Sequence, residues 1–251
     1  MPMHDWSHVD DAIFHSFQLG WTSELSARLN GGILPSSHFA ITETIELRPP
    51  VGFQLMPEPD HPFVIPRLPG MIRDTIPNTQ YASSDLRRQY ACVGITIRHA
   101  EHHQPVAAIL WITRQDKQTP YRFRAFVQTA IGAITHGIHL LIIDMFPPSK
   151  RDPQGIHKAI WDEIEGDEPF ELPTEQPLTL AAYVAGNITV GRSIRAYVET
   201  VGVGNVLPDM PAYLDADCHV PVPLESTYQA TWASCPADMR YLVEHGKLPD
   251  E

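Results

Sequence analysis

The stretch from Val106 to Phe146 constrains the fold of this chain more than any other. It reads strand, helix, strand. An apolar run from Val106 to Ile112 leads into polar Thr113-Arg114-Gln115-Asp116-Lys117. Phe123, Phe126, Val127, Ala130, Ile131 and Ile134 then recur at three- and four-residue spacing, the period of one helix face. Gly137 stands where a helix C-cap glycine belongs. Ile138 to Ile143 is apolar except for His139 and ends in Asp144. Two apolar runs joined by a helical crossover are the pattern of neighbouring parallel strands covered on both faces. Ligands of open α/β sheets sit at the carboxyl ends of the strands, where Lys117 and Asp144 both fall.

The rest of the chain extends this unit into an α/β fold, a mixed twisted sheet flanked by helices. Ile13 to Leu29 carries Phe14, Phe17, Trp21, Leu25 and Leu29 as an apolar helical stripe, with Asp10 or Asp11 at its start and Gly31-Gly32 at its end. Phe39 to Leu47 alternates as a strand, and Glu43 is the only charge on its apolar face. An unpaired carboxylate there is costly to bury, so Glu43 calls for a cationic, hydrogen-bonding or metal partner, or for a proton. Tyr90 to Arg98 alternates too and pairs with the Val106 strand as an antiparallel hairpin. Leu178 to Val184 and Ser193 to Val201 are further strands. Ile156 to Ile164, Leu224 to Ser234 and Pro236 to His245 are short helices. Gly202 to Pro223 reads as irregular. Residues 1–251 form one domain, with a proline-rich excursion at about 49–79.

Composition narrows the function classes. A net charge of −12 excludes a broad nucleic-acid-binding surface and leaves room only for a local cleft. The first residues have neither a basic start nor an apolar run, so no signal peptide is expected, and the longest apolar run is too short to span a bilayer. Three widely spaced cysteines fit a reducing cytoplasm. Gly202-Val203-Gly204 lacks the third glycine and following helix of a dinucleotide fingerprint. There is no phosphate-binding loop and no Gly-x-Ser-x-Gly elbow.

Lys117 and Asp144 admit two readings. One is structural, an ion pair or two solvated strand ends. The other uses Lys117 to neutralise charge on a phosphate, with Glu43, Asp116 and Asp144 as the carboxylates available to hold Mg²⁺. His15, beside Phe14, reads as a partly buried, hydrogen-bonded residue, with ligand binding as the alternative. His139 reads as a hydrogen-bonded core residue. Glu101-His102-His103 has the composition of a metal cluster but sits in a hairpin turn, where adjacent side chains point apart, and is expected to be a solvated turn.

Several segments together resemble one bacterial family, known as domain of unknown function 4058. They are His4-Asp5-Trp6, Phe14-His15-Ser16-Phe17 with Trp21, Leu34-Pro35 before Phe39-Ala40, and Gly137 to Asp144. Asp152-Pro153-Gln154-Gly155-Ile156-His157, Leu207 to Pro211 and Val222 to Tyr228 complete the set, which spans essentially the whole chain. The resemblance implies a layout similar to the restriction-endonuclease-like proteins, whose strand-helix-strand core carries acidic residues and a lysine around a metal. The family's strand before the helix reads like Glu-Ile-x-Ser-Pro-x-Asn-Lys. Here it is Leu110-Trp111-Ile112-Thr113-Arg114-Gln115-Asp116-Lys117. The lysine is kept, Leu110 holds the glutamate position, and Pro49-Pro50-Val51-Gly52-Phe53 lacks the upstream aspartate. Glu43 looks like a glutamate of the family.

The leading expectation is therefore a cytoplasmic binding or assembly module with a degenerate nuclease-like site and no cofactor. The alternative is a Mg²⁺-dependent nuclease or phosphodiesterase with Glu43, Asp116 and Lys117 as catalytic residues and Glu43 and Asp116 on the metal. A third reading is a structural homo-oligomer subunit. Asp144 and His15 are the ligand-binding candidates. Two or more carboxylates converging with Lys117 within metal-binding reach would sink the degenerate-site reading.

Overall fold

The computed structural model describes residues 3–46, 91–186 and 193–247. The excursion at 49–79, including Pro49-Pro50-Val51-Gly52-Phe53, lies outside them. The described chain is α/β. Its sheet has six strands in sequence order: β1 (His38–Glu46), β2 (Ala91–His99), β3 (Pro105–Ile112), β4 (His139–Asp144), β5 (Leu178–Val184) and β6 (Arg195–Val201). All neighbours are antiparallel except β3 and β4, which run parallel with Ile112 beside Asp144. Helices α2 (Arg114–Gln118) and α3 (Pro120–Thr135) make the β3-to-β4 crossover, as a parallel pair requires.

The double burial of β3 and β4 follows from their unbroken apolar runs. Ile109, Trp111, Leu141 and Ile143 face a core shared with α1 (Asp11–Arg28) and α5 (Leu224–Ser234). Leu110, Ile112, Leu140 and Ile142 face a second core shared with α3 and α4 (Gly155–Glu165). Glycine at 94 serves the second core. A Cβ there would lie 2.7 Å from the Ile109 carbonyl oxygen and 2.8 Å from Ile45 Cδ1.

The first helix starts where its polar cap dictates, with the Asp10 carboxylate accepting the Ala12 amide at 2.8 Å. It ends in a π turn, Leu29–Ile33, in which Gly32 adopts φ +123°. Asn30 in that turn answers the open edge of β1. Its side-chain amide donates to the Ala40 carbonyl at 2.9 Å, and its side-chain oxygen accepts the Ala40 amide at 2.8 Å. Such pairing blunts a sheet edge that would otherwise offer free backbone groups.

Where an irregular stretch was expected after Gly202, the chain makes a two-stranded ribbon, β7 (Met210–Tyr213) and β8 (His219–Val222). Pro211 and Pro221 stand opposite each other in it. Four-residue strands carrying prolines leave almost no periodic signal. The last helix, α6 (Ala237–His245), closes with Gly246 in the left-handed region.

Tyr228 of α5 anchors the N-terminal segment. Its buried hydroxyl accepts from the Trp6 indole at 3.1 Å and the His4 amide at 3.2 Å, and lies 2.9 Å from His4 Nδ1. Two lone pairs and one proton match these three partners if the His4 ring is neutral. Burial lowers the His4 pKa, outweighing the pull of Glu244, and so favours that form. The ring stacks on Trp232 at 3.7 Å. Tyr228→Phe should lower unfolding free energy by about 1–3 kcal/mol, because the buried indole N–H loses its acceptor; denaturant titration measures this.

His157 of α4 is buried and lies 2.9 Å from the Tyr183 hydroxyl of β5. Burial pushes its pKa down to about 4. A depressed histidine contributes stability above its ordinary pKa and loses it as pH falls toward the folded value. The stability difference between wild type and His157→Gln should therefore shrink as pH falls from about 6.5 to about 4, measured by unfolding at stepped pH.

Candidate functional site

The carboxyl end of β3 turns sharply into α2. Thr113 caps that helix, and Asp116 answers it in a reciprocal capping box. Asp116 Oδ2 accepts the Thr113 hydroxyl at 2.6 Å and the Thr113 amide at 2.9 Å, while Oδ1 takes Arg122 Nη2 at 3.0 Å. Asp116 is therefore committed to ending one element and starting the next. The box also aims the following residue, Lys117, into the protein.

Lys117 is 5% exposed. Its ammonium donates to Asp144 Oδ2 at 2.7 Å, the Phe146 carbonyl at 3.0 Å and the Pro147 carbonyl at 3.4 Å. Asp152 Oδ2 lies 2.9 Å away, at ion-pair distance but off the direction of a hydrogen bond. The other carboxylate oxygens are occupied as well. Asp144 Oδ1 accepts the Phe146 amide at 3.1 Å. Asp152 Oδ1 accepts the Ser149 amide at 2.8 Å and the Ser149 hydroxyl. Arg151 closes the loop by donating to the Lys117 carbonyl at 2.8 Å.

The electrostatics follow from burial. Burial alone would lower the Lys117 pKa, but the charges of Asp144 and Asp152 outweigh it and raise the lysine pKa. Burial pushes Asp144 up to about 6 against the opposing pull of Lys117, and the neighbouring Asp152 charge adds to that rise. The group places one lysine between two buried acids. Two carboxylates thus do converge on Lys117, the arrangement that counts against a degenerate site. Asp144 was among the expected acids; Asp152 was not, although Asp152-Pro153-Gln154-Gly155 stood out as a motif. A lysine next to a doubly buried strand end needs counter-charge, and that was the available signal. The place an ion would take between the two acids is filled by the ammonium itself, and no Lys117 donor is left for a phosphate.

Glu43 lies elsewhere. It stands on β1, separated from β3 by β2. Arg98 Nη2 donates to Glu43 Oε1 at 2.7 Å, and the Thr96 hydroxyl donates to the same oxygen. Burial raises the Glu43 carboxyl, but these hydrogen bonds and the Arg98 charge outweigh it and hold the group below the usual glutamate range. The structure supplies the partner that an apolar-face carboxylate calls for, and it is an arginine. Glu43, Asp116 and Lys117 each keep separate partners.

Beside the buried triad a cleft of about 590 Å³ opens between the start of α1 and the end of β3, within the size range of small-ligand sites. Phe14 and Phe146 give it apolar walls, and Asp10, His15, Arg114 and Gln115 its polar rim. Arg114 is fixed there. It donates to the Trp6 and Ser7 carbonyls at 2.9 and 2.5 Å, lies 3.6 Å from Asp11 Oδ1 and covers the Phe146 ring at 5.7 Å. Expected to be partly buried, His15 is exposed on this rim, because one helical step past Phe14 turns it away from the core. Asp144 is 1% exposed and does not line the cleft. His139, as expected, is a core residue, its Nδ1 accepting the Ala185 amide at 3.0 Å.

No family model, curated protein or solved structure matches this chain. Among the described residues no helix is long and apolar enough to cross a membrane.

Lys117→Met should destabilise the fold by about 3–5 kcal/mol, since it leaves two carboxylates buried without their cation. Urea unfolding near neutral pH measures the loss.

Proposed function

We propose that this chain is a member of the domain of unknown function 4058 family, with a restriction-endonuclease-like core whose nuclease-like site is degenerate. On this reading it is a cytoplasmic binding or assembly module. The strand-helix-strand unit of β3, α3 and β4, with a lysine after the first strand and acids around it, supports the layout. Free thiols at Cys92, Cys218 and Cys235 agree with a reducing compartment.

The convergence of Asp144 and Asp152 on Lys117 counts against a degenerate site, and the reading rests instead on one opposing observation, the saturation of Lys117. A lysine that stabilises a phosphate in a transition state must present a donor to it. Here the ammonium is buried and fully engaged by Asp144, Asp152 and the carbonyls of Phe146 and Pro147. Glu43 and Asp116, the other expected metal ligands, are bound to Arg98 and Arg122. The adjoining cleft keeps exposed polar groups over aromatic walls, the make-up of a small-ligand site. It would take a small ligand, or a short stretch of a partner, with an apolar body and hydrogen-bonding edges.

The second reading, a Mg²⁺-dependent nuclease or phosphodiesterase with relocated carboxylates, rests on the meeting of Asp144 and Asp152 at Lys117. One pair of experiments separates the two. Single- and double-stranded DNA and RNA are incubated with the chain and Mg²⁺ or Mn²⁺; no metal-dependent cleavage is expected. Cleavage that disappears in Asp152→Asn, with the melting temperature retained, would establish the nuclease instead. In parallel, ligands and oligonucleotides are screened by thermal shift, since a ligand of the native state raises the midpoint. Shifts seen with wild type should shrink in His15→Ala and Gln115→Ala, both exposed positions. Equal shifts in those variants would place binding outside the cleft.

A further inference from the structure

The turn between β2 and β3 gathers three metal-ligating side chains from one short stretch. His99, Glu101 and His102 each bring one ligand atom to within 4.8 Å of the others. The rings of His99 and His102, three residues apart in the turn, face each other. They stack with centroids 5.2 Å apart and planes 15° from parallel. Glu101 Oε2 lies 3.8 Å from His102 Nε2.

The backbone holds this arrangement from several sides. His99 donates its amide to the Gln104 carbonyl at 3.1 Å and accepts the His103 amide at 2.9 Å. The Ala100 amide donates to the Ser37 carbonyl at 2.7 Å, tying the turn to the start of β1. His103 takes φ +54°, a left-handed conformation uncommon outside glycine, and its carbonyl is held by Arg98 Nη1 at 2.9 Å. This tight turn brings His102 back over His99. His38, the register partner of His99 on β1, sets its ring 5.2 Å from the His99 ring.

We propose that His99, Glu101 and His102 form a binding site for one divalent transition-metal ion of the Zn²⁺ class at the tip of the β2–β3 turn. Two imidazoles and a carboxylate suit Zn²⁺ and its neighbours, whereas Mg²⁺ demands oxygen ligands and keeps its water. Bonds of about 2.0–2.1 Å to a tetrahedral ion call for donor atoms closer than they now stand. Glu101 and His102 are exposed and can close that gap by small side-chain rotations. His99 Nδ1 now accepts the Glu101 amide at 3.2 Å, a long and exposed hydrogen bond that a metal–nitrogen bond outweighs. The fourth position falls to water. The ion would pin the hairpin tip, independently of the function proposed for the cleft.

The test uses the untagged full chain, titrated with Co²⁺ by visible absorption and with Zn²⁺ by competition against a chromophoric chelator. Wild type should bind one equivalent saturably and melt at a higher temperature with Zn²⁺ than without. His99→Ala and His102→Ala should each weaken binding by about tenfold or more, at or beyond the cost of disturbing a metal's outer shell. Mg²⁺ should not compete. The site is overturned by any of three results: no saturable binding by wild type, unchanged affinity in the His99→Ala/His102→Ala double variant, or equal binding of Mg²⁺. Far-UV circular dichroism of both single variants confirms that a loss is not unfolding.

Discussion

A single ammonium group joins the ends of the two central strands. Lys117 leaves β3 through α2 and reaches Asp144, the last residue of β4, and the loop that carries Phe146, Pro147 and Asp152. Without that cation the carboxyl end of the parallel pair would bury two acids side by side, at a penalty of about 3–5 kcal/mol. The capping box of Thr113 and Asp116 determines where Lys117 points, and Arg151 seals the loop over it. Strand end, helix start and loop are one electrostatic unit.

The cleft depends on that unit. Phe146 contributes both the carbonyl that receives Lys117 and the ring that walls the cleft beneath Arg114. On the other side, α1 is positioned by aromatic packing of Phe17 and Trp21 against Tyr228, and by the Trp21 indole donating to Thr227 at 3.0 Å. Arg114 bridges the two halves through the Trp6 and Ser7 carbonyls. Loss of the triad would therefore be felt in the cleft without touching a residue that lines its α1 side.

Much of the layout was readable from periodicity. The apolar runs of β3 and β4, the helical stripe of α3 and the cap signals of Asp10 and Gly246 are short-range features, and each produced the element it implied. The ribbon of β7 and β8 was not readable, because Pro211 and Pro221 hide strands of four residues. At the site, residue types were visible but partners were not. Glu43 announced a need for a cation, and nothing local named Arg98 as its source. Asp152 stood in a recognisable motif, yet its pairing with Lys117 spans a helix, a strand and a loop.

By itself the sequence determined the α/β class, the parallel pair and the presence of charge at its carboxyl end. These depend on local propensity and on the period at which apolar residues recur. Only the tertiary structure decided how that charge is used. Whether a lysine faces solvent or two buried acids, and whether Glu101, His99 and His102 diverge or gather, depends on backbone directions set by distant contacts. Electrostatic pairing acts over a few ångströms in space, and chain order does not encode that separation.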